Sequence, residues 1–261
     1  ISLFLVLIIA LLLLQKMIPL SFSEFLSSYN PSMLKELYVY AWPIIIALVF
    51  HNILTYVGVF LIGYFGVYYD VGIYDAVFSI ASILLISITA SNVVFMPLMT
   101  GYFAQKNFKE MAHLYKRIAK WILTFSIPLL FLFLFHPKTV ILLLYGESFI
   151  NGSIILPILA IGIFVTAIMA PATNILFATS KTKVYMINTI ITALANIGLN
   201  VFLIPAYGFL GAAIAHLITM ILLNILRAFE VYKFHDMHPF TPSFFKIFIA
   251  FCLATMLTLF F

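Results

Sequence analysis

The chain has 261 residues, 65% of them hydrophobic and only 8% charged, with a formal net charge of +5. An ordinary soluble domain carries about 25% charged residues, so this composition excludes a water-soluble globular protein and predicts an integral membrane protein. Its apolar runs are of helix length without strict alternation, which excludes an outer-membrane barrel, and its single cysteine, Cys252, supports neither a disulfide nor a cysteine metal set.

The predicted fold is an all-α multi-pass membrane protein with about eight transmembrane helices, at roughly 20 residues per crossing. In chain order the expected spans are 1–15, 38–65, 73–100, 118–135, 154–178, 184–204, 209–226 and 244–261, with a short apolar segment at 139–145. Pro43, Pro97, Pro128 and Pro171 lie inside or near the ends of these spans, where proline removes a backbone hydrogen bond. Residues 32–36 read as a short interfacial helix leading into the second span. Residues 105–120 place Phe108, Met111, Ala112 and Tyr115 on one face and lysine or arginine on others, the pattern of an amphipathic helix lying at the interface.

The cations are distributed unevenly. Lys16 and Lys35, the set Lys106, Lys109, Lys116, Arg117 and Lys120, the pair Lys181 and Lys183, and the set Arg227, Lys233 and Lys246 put twelve of the thirteen cations in alternate loops. By the positive-inside rule, loops 16–37, 101–120, 179–183 and 227–243 are expected on the cytoplasmic side of a cell (inner or plasma) membrane. The first span then begins outside, which calls for earlier spans and predicts that the chain is a piece of a longer protein.

Enzyme chemistry finds no set of residues to carry it. Glu24, Glu36, Glu110, Glu230 and Asp236 fall on the expected cytoplasmic side, and Asp70, Asp75 and Glu147 toward the outside, leaving no acid at a midplane. There is no paired-carboxylate site, HExxH pattern or phosphate loop, and His235 with His238 lacks further ligands. No catalytic residue, metal or cofactor is expected, and no nucleic-acid partner; membrane lipids are the expected partners.

Polar residues within the spans carry the positive evidence. They are His51 and Asn52 in the second span, Asp75 and Asn92 in the third, Asn174 in the fifth, Asn188, Asn196 and Asn200 in the sixth, and His216 in the seventh. One reading is interhelical hydrogen bonding, worth about 0.6 kcal/mol per bond. The other is a wetted, uncharged substrate cavity between helix bundles. Ionisable groups are costly in a membrane, which singles out His51 and His216, and Asp75 is a candidate for gating or ion coupling. Lys106, Lys109, Lys116, Arg117 and Lys120 have two readings as well: positive-inside topology with anionic-lipid binding, or attraction of a lipid-linked substrate's phosphate.

Several stretches in order resemble the polysaccharide flippases, the lipid-linked oligosaccharide transporters of the multidrug/oligosaccharidyl-lipid/polysaccharide exporter superfamily. They are Val71-Gly72-Ile73-Tyr74, Leu143-Leu144-Tyr145-Gly146-Glu147, Thr179-Ser180-Lys181-Thr182-Lys183, Asn196-Ile197-Gly198-Leu199-Asn200 through Ile204-Pro205, and Tyr207-Gly208 with Gly211-Ala212-Ala213-Ile214-Ala215. The resemblance implies two six-helix lobes around a central cavity. On that template 1–20 is the last helix of the first lobe, 21–37 a cytoplasmic linker, 38–227 the complete second six-helix lobe, and 228–261 a cytoplasmic loop and the start of a C-terminal extension. It implies flipping of a lipid-linked oligosaccharide or polysaccharide precursor from the cytoplasmic to the outer leaflet by alternating access, with the missing N-terminal lobe or another membrane chain as partner. Members of that family often place an Asp-Arg pair shortly before a stretch like Gly63-Tyr64-Phe65, where this chain has Gly58 and Val59. The alternatives are a drug/cation antiporter of the same superfamily and a membrane-embedded glycosyltransferase or ligase.

Overall fold

The computed structural model describes residues 31–65 and 68–260. The expected first span, 1–15, and most of the expected linker lie outside the described residues. Two compact units are distinguished, 1–41 and 42–261. The helix α1 (Pro31–Phe65) begins in the first and continues into the second.

The remaining elements belong to the second unit. They are α2 (Tyr68–Ser82), a 3₁₀ turn (Ile83–Leu85), α3 (Ile86–Ala104), α4 (Phe108–Phe135), α5 (Pro137–Tyr145), a 3₁₀ segment (Glu147–Ile154), α6 (Leu156–Ala178), α7 (Thr182–Tyr207), α8 (Phe209–His235) and α9 (Pro242–Phe260). Among the described residues every regular element is helical, and six stretches are long and apolar enough to cross a membrane: α1, the α2–α3 stretch, α4, α6, α7 and α8. The expected eighth span corresponds to α9.

The helices run past the apolar stretches that predicted them. The second span begins at Pro31 instead of 38, so residues 32–36 are the first turns of α1 and not a separate element. Residues 108–120 are likewise the first turns of α4, which continues unbroken to Phe135. Its start is set locally: the Asn107 side-chain oxygen caps it by accepting from the Glu110 backbone N–H at 3.2 Å, and Glu110 complements the helix dipole. Helix α8 extends to His235, beyond the expected end at 226. Lysine, arginine and glutamate end an apolar run but are good helix formers, so charge marks where the hydropathy stops and not where the helix stops.

The α2–α3 stretch is interrupted without a proline. Ser82 donates its hydroxyl to the Phe78 carbonyl at 2.8 Å, and Ser87 donates to the Leu84 carbonyl at 3.1 Å. Such back-bonding competes with the helix ladder, and the 3₁₀ turn lies between the two serines.

Helix α6 sits at the centre of the unit. It carries no charged residue and packs against α2, α3, α4 and α8, as expected of a helix apolar all round. One core cluster joins Ile73, Tyr74, Ile127, Phe133, Leu159 and Ile163. Another joins Phe95, Met99, Met111, Tyr115, Ile175 and Tyr185.

The α7–α8 hairpin turns at Gly208, whose φ of +57° lies in the region that favours glycine. Three residues on, a Cβ at Gly211 would stand 2.3 Å from the Leu203 carbonyl oxygen. The two helices therefore close on each other only because position 211 has no side chain.

Candidate functional site

The polar seam between α7 and α8 follows from helical spacing. Asn188, Thr192, Asn196 and Asn200 recur every fourth residue, so they share one face of α7, and that face is buried against α8. Asn196 donates its side-chain amide to the Thr219 hydroxyl of α8 at 2.8 Å. Asn200 donates to the Asn196 carbonyl at 2.8 Å and to the Asn196 side-chain oxygen at 3.0 Å. The Thr192 hydroxyl donates to the Asn188 carbonyl at 2.7 Å. On α8, Asn224 donates to the Met220 carbonyl at 2.7 Å and to the Thr166 hydroxyl of α6 at 2.9 Å. The side-chain oxygens of Asn200 and Asn224 are buried without a partner.

One end of the seam carries charge. Arg227 is only 4% exposed, and its guanidinium lies 5.2 Å from the centre of the Tyr185 ring, a cation–π arrangement. Its Nε has no hydrogen-bond partner. Among the described residues no carboxylate lies within ion-pair distance of it. Glu230, one turn along α8, instead accepts from the Asn188 amide at 2.5 Å. Two histidines belong to the same region, His216 lying eleven residues, about 16 Å of helical rise, back along α8 from Arg227. His216 is buried edge-on against the Phe78 ring, with centroids 5.2 Å apart. His51 of α1 has a buried, unpartnered Nδ1 and lies within electrostatic reach of both Arg227 and His216.

The structure thus brings together Asn188, Asn196, Asn200, His216 and His51, but it encloses the first four between helices instead of presenting them on an open wall. Asn174 belongs to a separate link, donating to the Asn92 side-chain oxygen at 2.7 Å across α6 and α3. Asn52 is exposed and donates to its own helix at Leu48, and Asp75 is exposed. Neither joins the seam. Lys106, Lys109, Arg117 and Lys120 are exposed and Lys116 is half-buried, all at or just before the N-terminal half of α4.

Arg227, Glu230 and Tyr185 were the functional candidates hardest to find from sequence. Arg227 and Glu230 were expected in a loop beginning at 227, whereas both lie within α8, with Arg227 enclosed. The available signal was spacing: Tyr185 and Asn188 on α7, and Arg227 and Glu230 on α8, are each three residues apart and share a face.

Gly58 and Val59 occupy the positions where an Asp-Arg pair was expected by resemblance. A Cβ on Gly58 would already stand 3.3 Å from the Tyr74 hydroxyl and 3.6 Å from the Ala212 Cβ. A side chain there has to displace Tyr74 by a few tenths of an ångström at the Cβ alone.

The sequence matches the MatE family over residues 43–202, more than half of the chain. The chain belongs to the MatE family. The family and the helical architecture together make it a multi-pass membrane protein. No curated relative matches the chain by sequence.

Two solved structures share the MatE chain's fold. One is an outward-facing multidrug resistance MATE family transporter of the MOP superfamily, with a TM-score of 0.65 and 16% identity, covering 78% of this chain and 46% of that one. The other is a MOP superfamily transporter from Pyrococcus furiosus Vc1 (DSM3638), described as having a binding pocket of reverse polarity that suggests a different function. Its TM-score is 0.63 at 15% identity, covering 78% of this chain and 48% of that one. The chain therefore spans about half the length of the solved structures it matches.

Proposed function

We propose that this MatE protein carries one lobe of a transporter that flips a lipid-linked oligosaccharide or polysaccharide precursor from the cytoplasmic to the outer leaflet. Residues 38–227 form the lobe in this reading, and a second lobe or another membrane chain completes the cavity. The sugar head crosses between lobes while the lipid stays in the bilayer, and rocking of the lobes alternates access.

The observation that carries the reading is the sign of the buried charge. Among the described residues Arg227 is the only charged side chain that is fully buried, and His51 lies within electrostatic reach of it. A guanidinium presents planar donors suited to phosphate. A cation antiporter calls for a buried carboxylate, and none of the described acids is fully buried. The Pyrococcus furiosus protein is described as having reversed pocket polarity, so the fold alone leaves the sign of the substrate open; Arg227 favours an anion. The amide and hydroxyl groups of the seam suit a sugar should helix rearrangement open them.

The test is leaflet translocation of a lipid-linked oligosaccharide by the full protein reconstituted in vesicles. Flipping is expected, with a loss of at least about tenfold in Arg227→Gln, the effect of removing one charged contact. Efflux of a cationic dye coupled to a proton or sodium gradient, without lipid-linked oligosaccharide movement, would instead establish the antiporter.

A further inference from the structure

A groove that shares no lining residue with the Arg227 seam runs between the α2–α3 break and α4. It encloses about 680 Å³, in the range of small-ligand sites, and its walls include Ile83, Leu84, Val94, Trp121 and Phe125. Three serines also line it, but their hydroxyls are already engaged. Ser87 donates to the Leu84 carbonyl and shares a 2.9 Å contact with Ser126, and Ser91 donates to the Ser87 carbonyl at 2.7 Å. The groove consequently offers an incoming molecule almost no free polar group along its length.

Its lining contains one charged residue. Arg117 lies one helical turn from Trp121 on α4, is exposed, and has no acidic partner among the described residues. Lys120 is exposed one turn from Arg117. The acid of this helix, Glu110, is instead 3.7 Å from His113. Trp121 and Phe125 face outward, at 57% and 68% exposed, while Leu84 at the groove floor is buried, so hydrocarbon can reach the groove without unpacking the core. Tryptophan next to arginine is also the composition that anchors at the headgroup level of a bilayer.

We propose that this groove is a binding site for one anionic phospholipid, its acyl chain lying along Ile83–Val94 and Trp121–Phe125 and its phosphate paired with Arg117. An apolar chain fits walls without free donors, and the single cation at one end fits a phosphate that carries net negative charge. A zwitterionic lipid supplies the same chain without the net charge and binds less well. The site is independent of the transport reading, and it turns diffuse basic-surface attraction into a defined position for one lipid.

Trp121 reports on occupancy. The chain has two tryptophans, so Trp42→Phe in the full protein leaves Trp121 as the only one contributed by these residues, and any upstream tryptophan is replaced likewise. The probes are phosphatidylglycerol and phosphatidylcholine brominated on one acyl chain, at low mole fraction in unlabelled phosphatidylcholine vesicles. Brominated phosphatidylglycerol is expected to quench Trp121 at fractions where brominated phosphatidylcholine does not. Arg117→Gln should reduce that preference roughly fivefold, about the effect of one cation near a membrane surface. Ala90→Phe, which fills the groove, should abolish the quenching; Ala90→Leu, a milder filling, should weaken it.

Equal quenching by the two lipids would overturn the proposal, as would no quenching by either, which would mean that protein covers the groove. A preference lost equally in Lys106→Gln/Lys109→Gln would reduce it to general surface electrostatics. Retention of full quenching in a folded Ala90→Phe or Ala90→Leu protein would place the lipid elsewhere. Arg117 is exposed, so its variant tests the headgroup contact even where a groove-filling variant does not fold.

Discussion

Asn196 of α7 and Thr219 of α8 are joined by a 2.8 Å side-chain hydrogen bond, and both are almost wholly buried, at 1% and 0% exposed. Thr219 in turn donates to the Ala215 carbonyl at 2.8 Å, and Asn196 receives both donors of Asn200. The bond therefore ties the hairpin together at a point where each partner is already committed within its own helix.

Asn196→Leu is expected to destabilise the protein by about 1–2 kcal/mol, since it removes the bond to Thr219 and strips Asn200 of one acceptor. A double-mutant cycle with Thr219→Val should give a coupling of about 0.6 kcal/mol. Unfolding of the detergent-solubilised protein measures both. Strict additivity would mean that the bond contributes nothing across the helices.

Gly211 and Gly198 should respond oppositely to the same change. A Cβ at 211 meets the Leu203 carbonyl oxygen at 2.3 Å, whereas a Cβ at 198 meets nothing within 4 Å. Gly211→Ala is expected to cost about 1–3 kcal/mol by forcing the hairpin apart. Gly198→Ala should be neutral or stabilising by up to about 1 kcal/mol, because alanine is the better helix former. Thermal unfolding of the two variants side by side checks the contrast.

Restoring the resembled family's acid should fail. Gly58→Asp would place a carboxylate against the Tyr74 hydroxyl and Ala212, with both steric overlap and an unpaired buried charge. A loss of about 3–5 kcal/mol is expected, read as loss of folded protein in size-exclusion chromatography. Gly58→Ala should be much milder, because its methyl needs only a few tenths of an ångström from Tyr74.

Arg227 should be intolerant of a change that keeps its charge. Lysine retains the cation but not the planar fork or its stacking on Tyr185, a 5.2 Å contact in this fold. Under the proposed function, Arg227→Lys is expected to recover only about threefold of the at least tenfold loss in flipping rate in Arg227→Gln. Full recovery would show that net charge alone is used there.

The apolar runs around α6, α7 and α8 were legible because hydropathy and length are properties of a single segment. The four-residue spacing from Asn188 to Asn200 was equally plain, and it placed these residues on one face. What that face meets was not legible. Asn174 and Asn92 are 82 residues apart in the chain and find each other only through the packing of α6 on α3. The 3₁₀ turn at Ile83–Leu85 also escaped notice, because serine is common in such spans and its back-bonding leaves no mark on hydropathy.

The sequence by itself determined that this is a multi-pass helical membrane protein, roughly where its helices run and which residues share a face, since these depend on composition and on the 3.6-residue period. Only the tertiary structure decided the rest. It carried α8 nine residues past the expected end at 226 and enclosed Arg227 beside Tyr185. It brought α7 and α8 close enough at Gly211 for Asn196 to reach Thr219. The physical reason is that a helix satisfies its own backbone wherever it forms, whereas a buried polar side chain needs a partner whose position is set by another part of the chain.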